Sequence, residues 1–124
     1  DGAFAYLGVT THKFPNMFML YGPNTNTGHT SIIYKLEAQF EHILKLLSIT
    51  DDGIIEVRGS VEKQYNIQAQ KKLSRLAWSK IEASWYKDGG RVTNNWYGSS
   101  YEYNRRLRAP IIKNFIVTTP QIKQ

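Results

Sequence analysis

Residues 22–28 read Gly-Pro-Asn-Thr-Asn-Thr-Gly, a glycine-bounded stretch of small polar side chains between an unbroken apolar run and a long helical pattern. The run before it, Met17-Phe18-Met19-Leu20-Tyr21, is continuous rather than alternating, which predicts a strand buried on both faces. The pattern after it opens at Thr30, a helix-capping residue type, and continues to about Ser48. Within it Ile32, Ile33, Leu36, Phe40, Ile43, Leu44 and Leu47 recur at three- and four-residue steps. That stripe predicts a core-facing helix, with Glu41 and Lys45 spaced as an i,i+4 pair on its outer side. A loop whose backbone can approach a ligand, followed by a helix whose first amides lack partners, offers a place for a flat polar ring or an anion.

Beyond the helix, Asp51-Asp52-Gly53 predicts a turn and Ile54–Val57 a short strand. A second helix starts with Ser60 as cap, carries Val61, Tyr65, Ala69, Leu73 and Leu76 on one side, and ends near Trp78. The rest is irregular: a strand over Ile81–Tyr86, a turn at Asp88-Gly89-Gly90, a loop from Asn94 to Gly98 and a short helix over Ser100–Arg106. Trp85, Tyr86, Trp96, Tyr97, Tyr101 and Tyr103 crowd into nineteen positions. Aromatic residues with polar tips build pocket walls, and they also cover small cores; composition leaves both readings open.

The chain has 124 residues, 41% of them hydrophobic, enough for one small domain. It contains no cysteine, which excludes disulfides and thiolate metal sites and is compatible with the cytoplasm, the predicted location. No apolar run approaches the roughly 20 residues of a membrane span, and no signal-peptide pattern opens the chain. His12, His29 and His42 are not at metal-ligand spacing, so no metal site is expected; His42 reads as a surface helix residue, while His29 sits beside the helix start. No Gly-x-Ser-x-Gly elbow points to a hydrolase. Charge is uneven: the chain to Gly59 balances at −2 and the remainder at +8. Lys71, Lys72 and Arg75 share one helix, and Arg105, Arg106 and Arg108 cluster later. Two readings follow, a solvated or partner-facing surface and a small basic, aromatic-rich module that binds nucleic acid or another anionic ligand.

Three segments carry a more specific signal: Tyr6-Leu7-Gly8-Val9-Thr10, Phe14-Pro15-Asn16-Met17-Phe18-Met19-Leu20-Tyr21-Gly22-Pro23-Asn24-Thr25, and Gly28-His29 with Ser31-Ile32-Ile33-Tyr34. Together they resemble the C-terminal part of flavin-containing monooxygenases of the Baeyer–Villiger type. Ser84-Trp85-Tyr86, Gly90-Arg91, Asn95-Trp96 and the cluster Arg105-Arg106-Leu107-Arg108 come in the same order and at about the same spacing. The resemblance covers roughly Phe4 to Arg108. Absent are any G-x-G-x-x-G, and hence the βαβ units that bind FAD and NADPH, and that family's Phe-x-Gly-x-x-x-His-x-x-x-Trp stretch. With no initiator Met, the expectation is a C-terminal fragment: residues 1–110 from the FAD-binding domain and residues 111–124 a C-terminal tail.

The fold class so expected is an α+β fragment, with two amphipathic helices, short strands and an aromatic irregular C-terminal region, of a larger α/β flavoprotein with two dinucleotide-binding units. The resemblance implies that the whole enzyme uses NADPH to reduce FAD and, through a flavin peroxide, inserts oxygen into a ketone or oxidises a soft heteroatom. The fragment alone should be inactive, should hold no catalytic residue of its own, and should hide its apolar face, including the strand around Phe18, by self-association. Its partners would be the missing FAD- and NADPH-binding regions and a small-molecule substrate, with no nucleic acid. By the same resemblance, Asn24, Thr25, Gly28, His29, Thr30, Ser31 and Ile32 would face the flavin, and Trp85 would lie near the nicotinamide cofactor. Lys13, Thr27, Thr30 and Tyr97 depart from that family's usual residues; Thr30 keeps capping ability, whereas Tyr97 alters the loop around Trp96.

Overall fold

Among the described residues, three helices and two small antiparallel sheets are arranged around a core to which most segments contribute side chains. The computed structural model describes residues 3–26, 31–75, 87–88 and 91–119. In chain order the elements are α1 (Ile32–Thr50), β1 (Ile54–Val57), α2 (Gly59–Leu73), β2 (Lys87–Asp88), β3 (Arg91–Val92), α3 (Ser100–Arg108), a 3₁₀ turn (Ile112–Asn114) and β4 (Phe115–Thr118). The architecture is the expected α+β, with a third helix of nine residues where the sequence predicts a short one.

The α1–β1 connection shows how local chemistry sets the frame. Asp51 and Asp52 adopt left-handed backbone, at φ 42° and 63°, which short polar side chains tolerate. The Asp51 N–H donates to the Leu47 carbonyl to close the helix. Gly53 follows because a Cβ there would stand 2.3 Å from the Thr118 carbonyl oxygen. That contact lies at the end of β4, which pairs antiparallel with β1 in the register Ile54↔Thr118 to Val57↔Phe115. Ile55, Val57 and Phe115 face the core. Tyr6 meets Tyr65 and Phe115 edge-on at 5.3 and 5.9 Å, joining the N-terminal turn to α2 and β4. The stretch beyond residue 110 thus contributes a strand and a core side chain.

The structure corrects five expectations. First, α1 buries Lys35, Ala38, Gln39, His42, Leu46 and Thr50, while Ile32, Ile33, Phe40, Leu44 and Leu47 are exposed. Only Ile43 of the apolar stripe packs on the core cluster. Periodicity identified the helix; which face turned inward was decided by tertiary partners of its polar side chains: Tyr103 and the Leu107 carbonyl of α3 meet Gln39 and His42, and the Thr25 carbonyl meets Lys35. Glu41 accordingly pairs with Arg108 at 3.4 Å, and Lys45 donates to the Arg108 carbonyl at 2.5 Å, rather than pairing with each other.

Second, Met17–Tyr21 forms no strand. Lys13, Asn16 and Tyr21 hold φ values of 71°, 58° and 57°, which interrupt an extended ladder, and Met17 and Leu20 are exposed. Third, His42 is buried, with Nδ1 2.8 Å from the Leu107 carbonyl. Burial, above all, holds its pKa below the ordinary histidine value. Fourth, the N-cap of α1 is Ser31 and that of α2 is Arg58, in place of Thr30 and Ser60. Fifth, α2 ends at Leu73, five residues before Trp78. Its inward face, Tyr65, Ala69 and Leu73, is the expected one. The strand predicted over residues 81–86, with Trp85 and Tyr86, lies outside the described residues.

Candidate functional site

Two backbone segments cross so closely at the loop that glycine is required on both. A Cβ on Gly8, which has φ +69°, would sit 2.1 Å from Thr25 Cγ2, and one on Gly22 would sit 2.3 Å from the Gly8 carbonyl oxygen. The turn Leu7-Gly8-Val9 thereby fixes where Gly22–Asn26 runs. Thr25 tightens the loop on itself, its hydroxyl donating to the Gly22 carbonyl at 2.7 Å.

Asn24 then ties the loop to the segment after β3. Its N–H donates to the Thr93 carbonyl at 2.8 Å. Its side-chain amide donates to the carbonyls of Val92 at 2.6 Å and Asn95 at 3.0 Å. The residue is buried with φ 59°, a left-handed conformation that asparagine adopts more readily than most. Asn26 continues the stitch: its N–H donates to Asn94 and its carbonyl accepts from Trp96 N–H, both at 2.9 Å. The sequence blocks around Gly22–Thr25 and Asn95-Trp96, far apart in the chain, are therefore one structural unit.

The mouth of this unit is the start of α1. The Ser31 hydroxyl makes no capping hydrogen bond, and the first turn contains no acidic residue. Ser31 and Ile32 are exposed there. The amides and partial positive charge of the helix end are thus not neutralised by a side chain of that turn. Behind them lies Lys35, 1% exposed, whose ammonium donates to the Thr25 carbonyl and stands 5.1 Å from the centre of the Tyr103 ring. Burial lowers its pKa to about 8, so it remains mostly cationic at neutral pH. Tyr103 is itself held on both sides, accepting from Gln39 Nε2 at 2.8 Å and donating to the Leu7 carbonyl at 2.7 Å.

Of the predicted site residues, the structure brings Asn24, Thr25, Ser31 and Ile32 to this mouth. The side chains of Asn24 and Thr25 are buried and engaged within the protein, leaving Ser31 and Ile32 as the exposed pair. Gly28, His29, Thr30 and Trp85 lie outside the described residues. Lys35 escaped the sequence reading because a lysine inside an amphipathic helix reads as solvated. The available signal was a second row at helical spacing, Lys35, Ala38, Gln39, His42 and Leu46. Trp96 is core: its indole N–H donates to the Ser99 carbonyl at 2.9 Å, and its ring lies 4.0 Å from that of Tyr97.

Several basic side chains of the C-terminal half are engaged internally. Lys72 stands over the Tyr97 ring at 4.6 Å, and Arg106 donates to the Tyr97 hydroxyl at 2.6 Å. A groove of about 490 Å³ bordered by Phe4, His12, Glu62, Ile67 and Arg91 lies along α2. Among the described residues no three His, Asp or Glu side chains group as metal ligands, and no helix is long and apolar enough to cross a membrane.

Comparison with solved structures defines the class of fold. The chain superposes on an oxidized steroid monooxygenase bound to NADP with a TM-score of 0.81 at 19% identity, covering 96% of this chain and 24% of that one. On cyclohexanone monooxygenase from Rhodococcus sp. Phi1 bound to NADP+ the TM-score is 0.74 at 23% identity, covering 95% and 24%. The fold is that of a piece of these enzymes. In sequence, the chain is 36% identical to the FAD-binding monooxygenase ktnD of Aspergillus niger over 94% of its own length and 21% of the relative's. It is 38% identical to a Baeyer–Villiger monooxygenase of Pseudomonas aeruginosa over 86% and 21%. The chain is a segment belonging to the FAD-binding monooxygenases of the Baeyer–Villiger type, and it spans about a fifth of the length of the curated relatives it matches. No protein-family model matches it. The alternative of a nucleic-acid-binding module finds no support in these relationships.

Proposed function

We propose that this chain is the C-terminal portion of an NADPH- and FAD-dependent monooxygenase and that it supplies the wall against which the pyrimidine side of the flavin rests. The observation that carries the proposal is the start of α1: uncapped by Ser31, without an acidic first turn, and backed by the buried Lys35 ammonium. Such a mouth suits a ring edge that gains negative charge, which an acidic or side-chain-capped helix start would not. When bound, FAD reduced by NADPH would supply the oxygen chemistry, on a ketone or a soft heteroatom. The chain's own contribution is to orient. Gly8, Gly22 and Asn24 fix the loop, Ser31 and Ile32 present the first helical amides, and Asn24, Thr25, Gly28, His29 and Thr30 are assigned to the flavin side with them. Trp85 belongs to the nicotinamide side of the cavity. Residues 1–110 form part of the FAD-binding domain, and residues 111–124 are its C-terminal tail, whose strand β4 completes the sheet with β1.

The partners in this reading are the regions carrying the two dinucleotide-binding units, which the chain lacks, and the setting is cytoplasmic. The segment alone is inactive. The test is to purify the full-length protein, record its absorbance spectrum for bound flavin, and follow NADPH oxidation and O₂ uptake over a panel of ketones and thioethers. Bound flavin and substrate-dependent oxygenated product are the expected results. A full-length protein that neither purifies with flavin nor takes it up on reconstitution would overturn the reading.

A further inference from the structure

We propose that Lys35 is the positioning residue of this flavin wall, holding the Thr25 carbonyl and leaving one uncompensated positive charge behind the first turn of α1. The inference rests on the function proposed above and deepens it. Side chains of a helix lean back toward its N-terminus, so a lysine four residues after the N-cap returns its ammonium to the helix mouth, where it donates to the Thr25 carbonyl. Its other neighbour is the face of Tyr103, which attracts a cation without neutralising it. Among the described residues the ion pairs are His12–Glu56 and Arg108–Glu41, and neither involves Lys35. Folding needs the donor to the Thr25 carbonyl but not the charge: a neutral amide of similar length would satisfy that carbonyl without the desolvation penalty that a buried ammonium carries. A group that arrives with negative charge gains from it, because the ammonium and the helix end act in the same direction on the same side of the loop.

The experiment uses the full-length protein with FAD bound and compares wild type with K35M, K35Q and K35R. Two quantities are read, the midpoint potential of the bound flavin by dye-coupled reduction and the melting temperature. K35Q, which can still donate to the Thr25 carbonyl, is expected to melt at or above wild type and K35M somewhat below K35Q for the buried carbonyl it leaves without a donor, with the potential shifted to lower values in both. K35R keeps the charge and holds the wild-type potential. Flavin bound with an unmoved potential in K35M and K35Q overturns the inference alone. A shift in K35M that K35Q restores assigns the effect to the Thr25 hydrogen bond and overturns the charge. Failure of both neutral variants to fold shows that the ammonium serves the fold, and overturns it as well. A wild-type protein that cannot be loaded with flavin overturns the function reading and this inference with it.

Discussion

Replacing Asn24 separates the two demands its position makes, a left-handed backbone and a donor aimed at two carbonyls. Asn24→Gly satisfies the backbone and removes both hydrogen bonds. At about 0.5–1.5 kcal/mol each, that loss is about 1–3 kcal/mol. The Val92 carbonyl keeps the Gln70 side chain as donor at 2.8 Å, whereas Asn95 loses its partner in a buried place, so about 2 kcal/mol is expected. Asn24→Ala loses the same bonds and adds roughly 1–2 kcal/mol for a Cβ in left-handed backbone, about 3–4 kcal/mol in all. Asn24→Asp turns a carboxylate toward carbonyl oxygens, which raises its pKa above the ordinary value of about 3.9. A raised folded-state pKa means the folded form binds more protons in that window. The stability deficit of Asn24→Asp against wild type should therefore be smallest in acid and grow as pH rises through the folded-state pKa. Urea unfolding followed by tryptophan fluorescence measures all three, Trp96 lying beside the stitched loop. Equal losses for the Gly and Ala variants would refute the backbone argument, and a neutral Asn24→Asp at pH 7 would refute the donor geometry.

His42 gives the chain an acid sensitivity: burial lowers its folded-state pKa, so stability is present above about 6.5 and is lost at up to about 1.4 kcal/mol per pH unit as pH falls toward the folded-state value. His42→Phe should flatten that part of a pH–stability curve, and an unchanged slope would remove His42 as its source. Gly8→Ala should prevent the loop from closing, since both φ +69° and the 2.1 Å approach to Thr25 oppose a Cβ; a folded variant with native melting behaviour would contradict the crossing. The segment produced alone should self-associate through Ile33, Phe40, Leu44 and Leu47, and Phe40→Glu with Leu44→Glu should yield monomer in sedimentation. Wild-type segment that stays monomeric at high concentration would count against that surface.

The parts of the fold legible in the sequence were those that local chemistry decides. The turn at Asp51-Asp52-Gly53, strand β1 with its β-branched residues, and α3 opening where Ser99 accepts from the Glu102 N–H at 3.1 Å all follow from short-range patterns. The orientation of α1 did not, because its inward face is chosen by partners 64 and 65 residues away: Gln39 meets Tyr103 and His42 meets the Leu107 carbonyl. The apolar run at residues 17–21 reads as a strand only while the left-handed residues around it go unnoticed, and Lys13 and Tyr21 give no composition cue for that backbone. At the candidate site, the glycines read as permitting approach to a ligand; what the structure shows them permitting is the crossing of two backbone segments at Gly8 and Gly22. The charge at Lys35 was legible as a residue and illegible as a location.

Because α1 turns a polar row toward α3 and an apolar row outward, substitutions on its two sides answer to different surroundings. A change at Gln39 or His42 can be compensated within this segment, at Tyr103, Tyr21 and Phe115 or along the backbone of α3. A change at Phe40 or Leu44 must be matched by whatever surface meets the helix from outside. Grafting this segment between related monooxygenases should therefore succeed when the outward row is rewritten to suit the recipient and the inward row travels unchanged with its own α3.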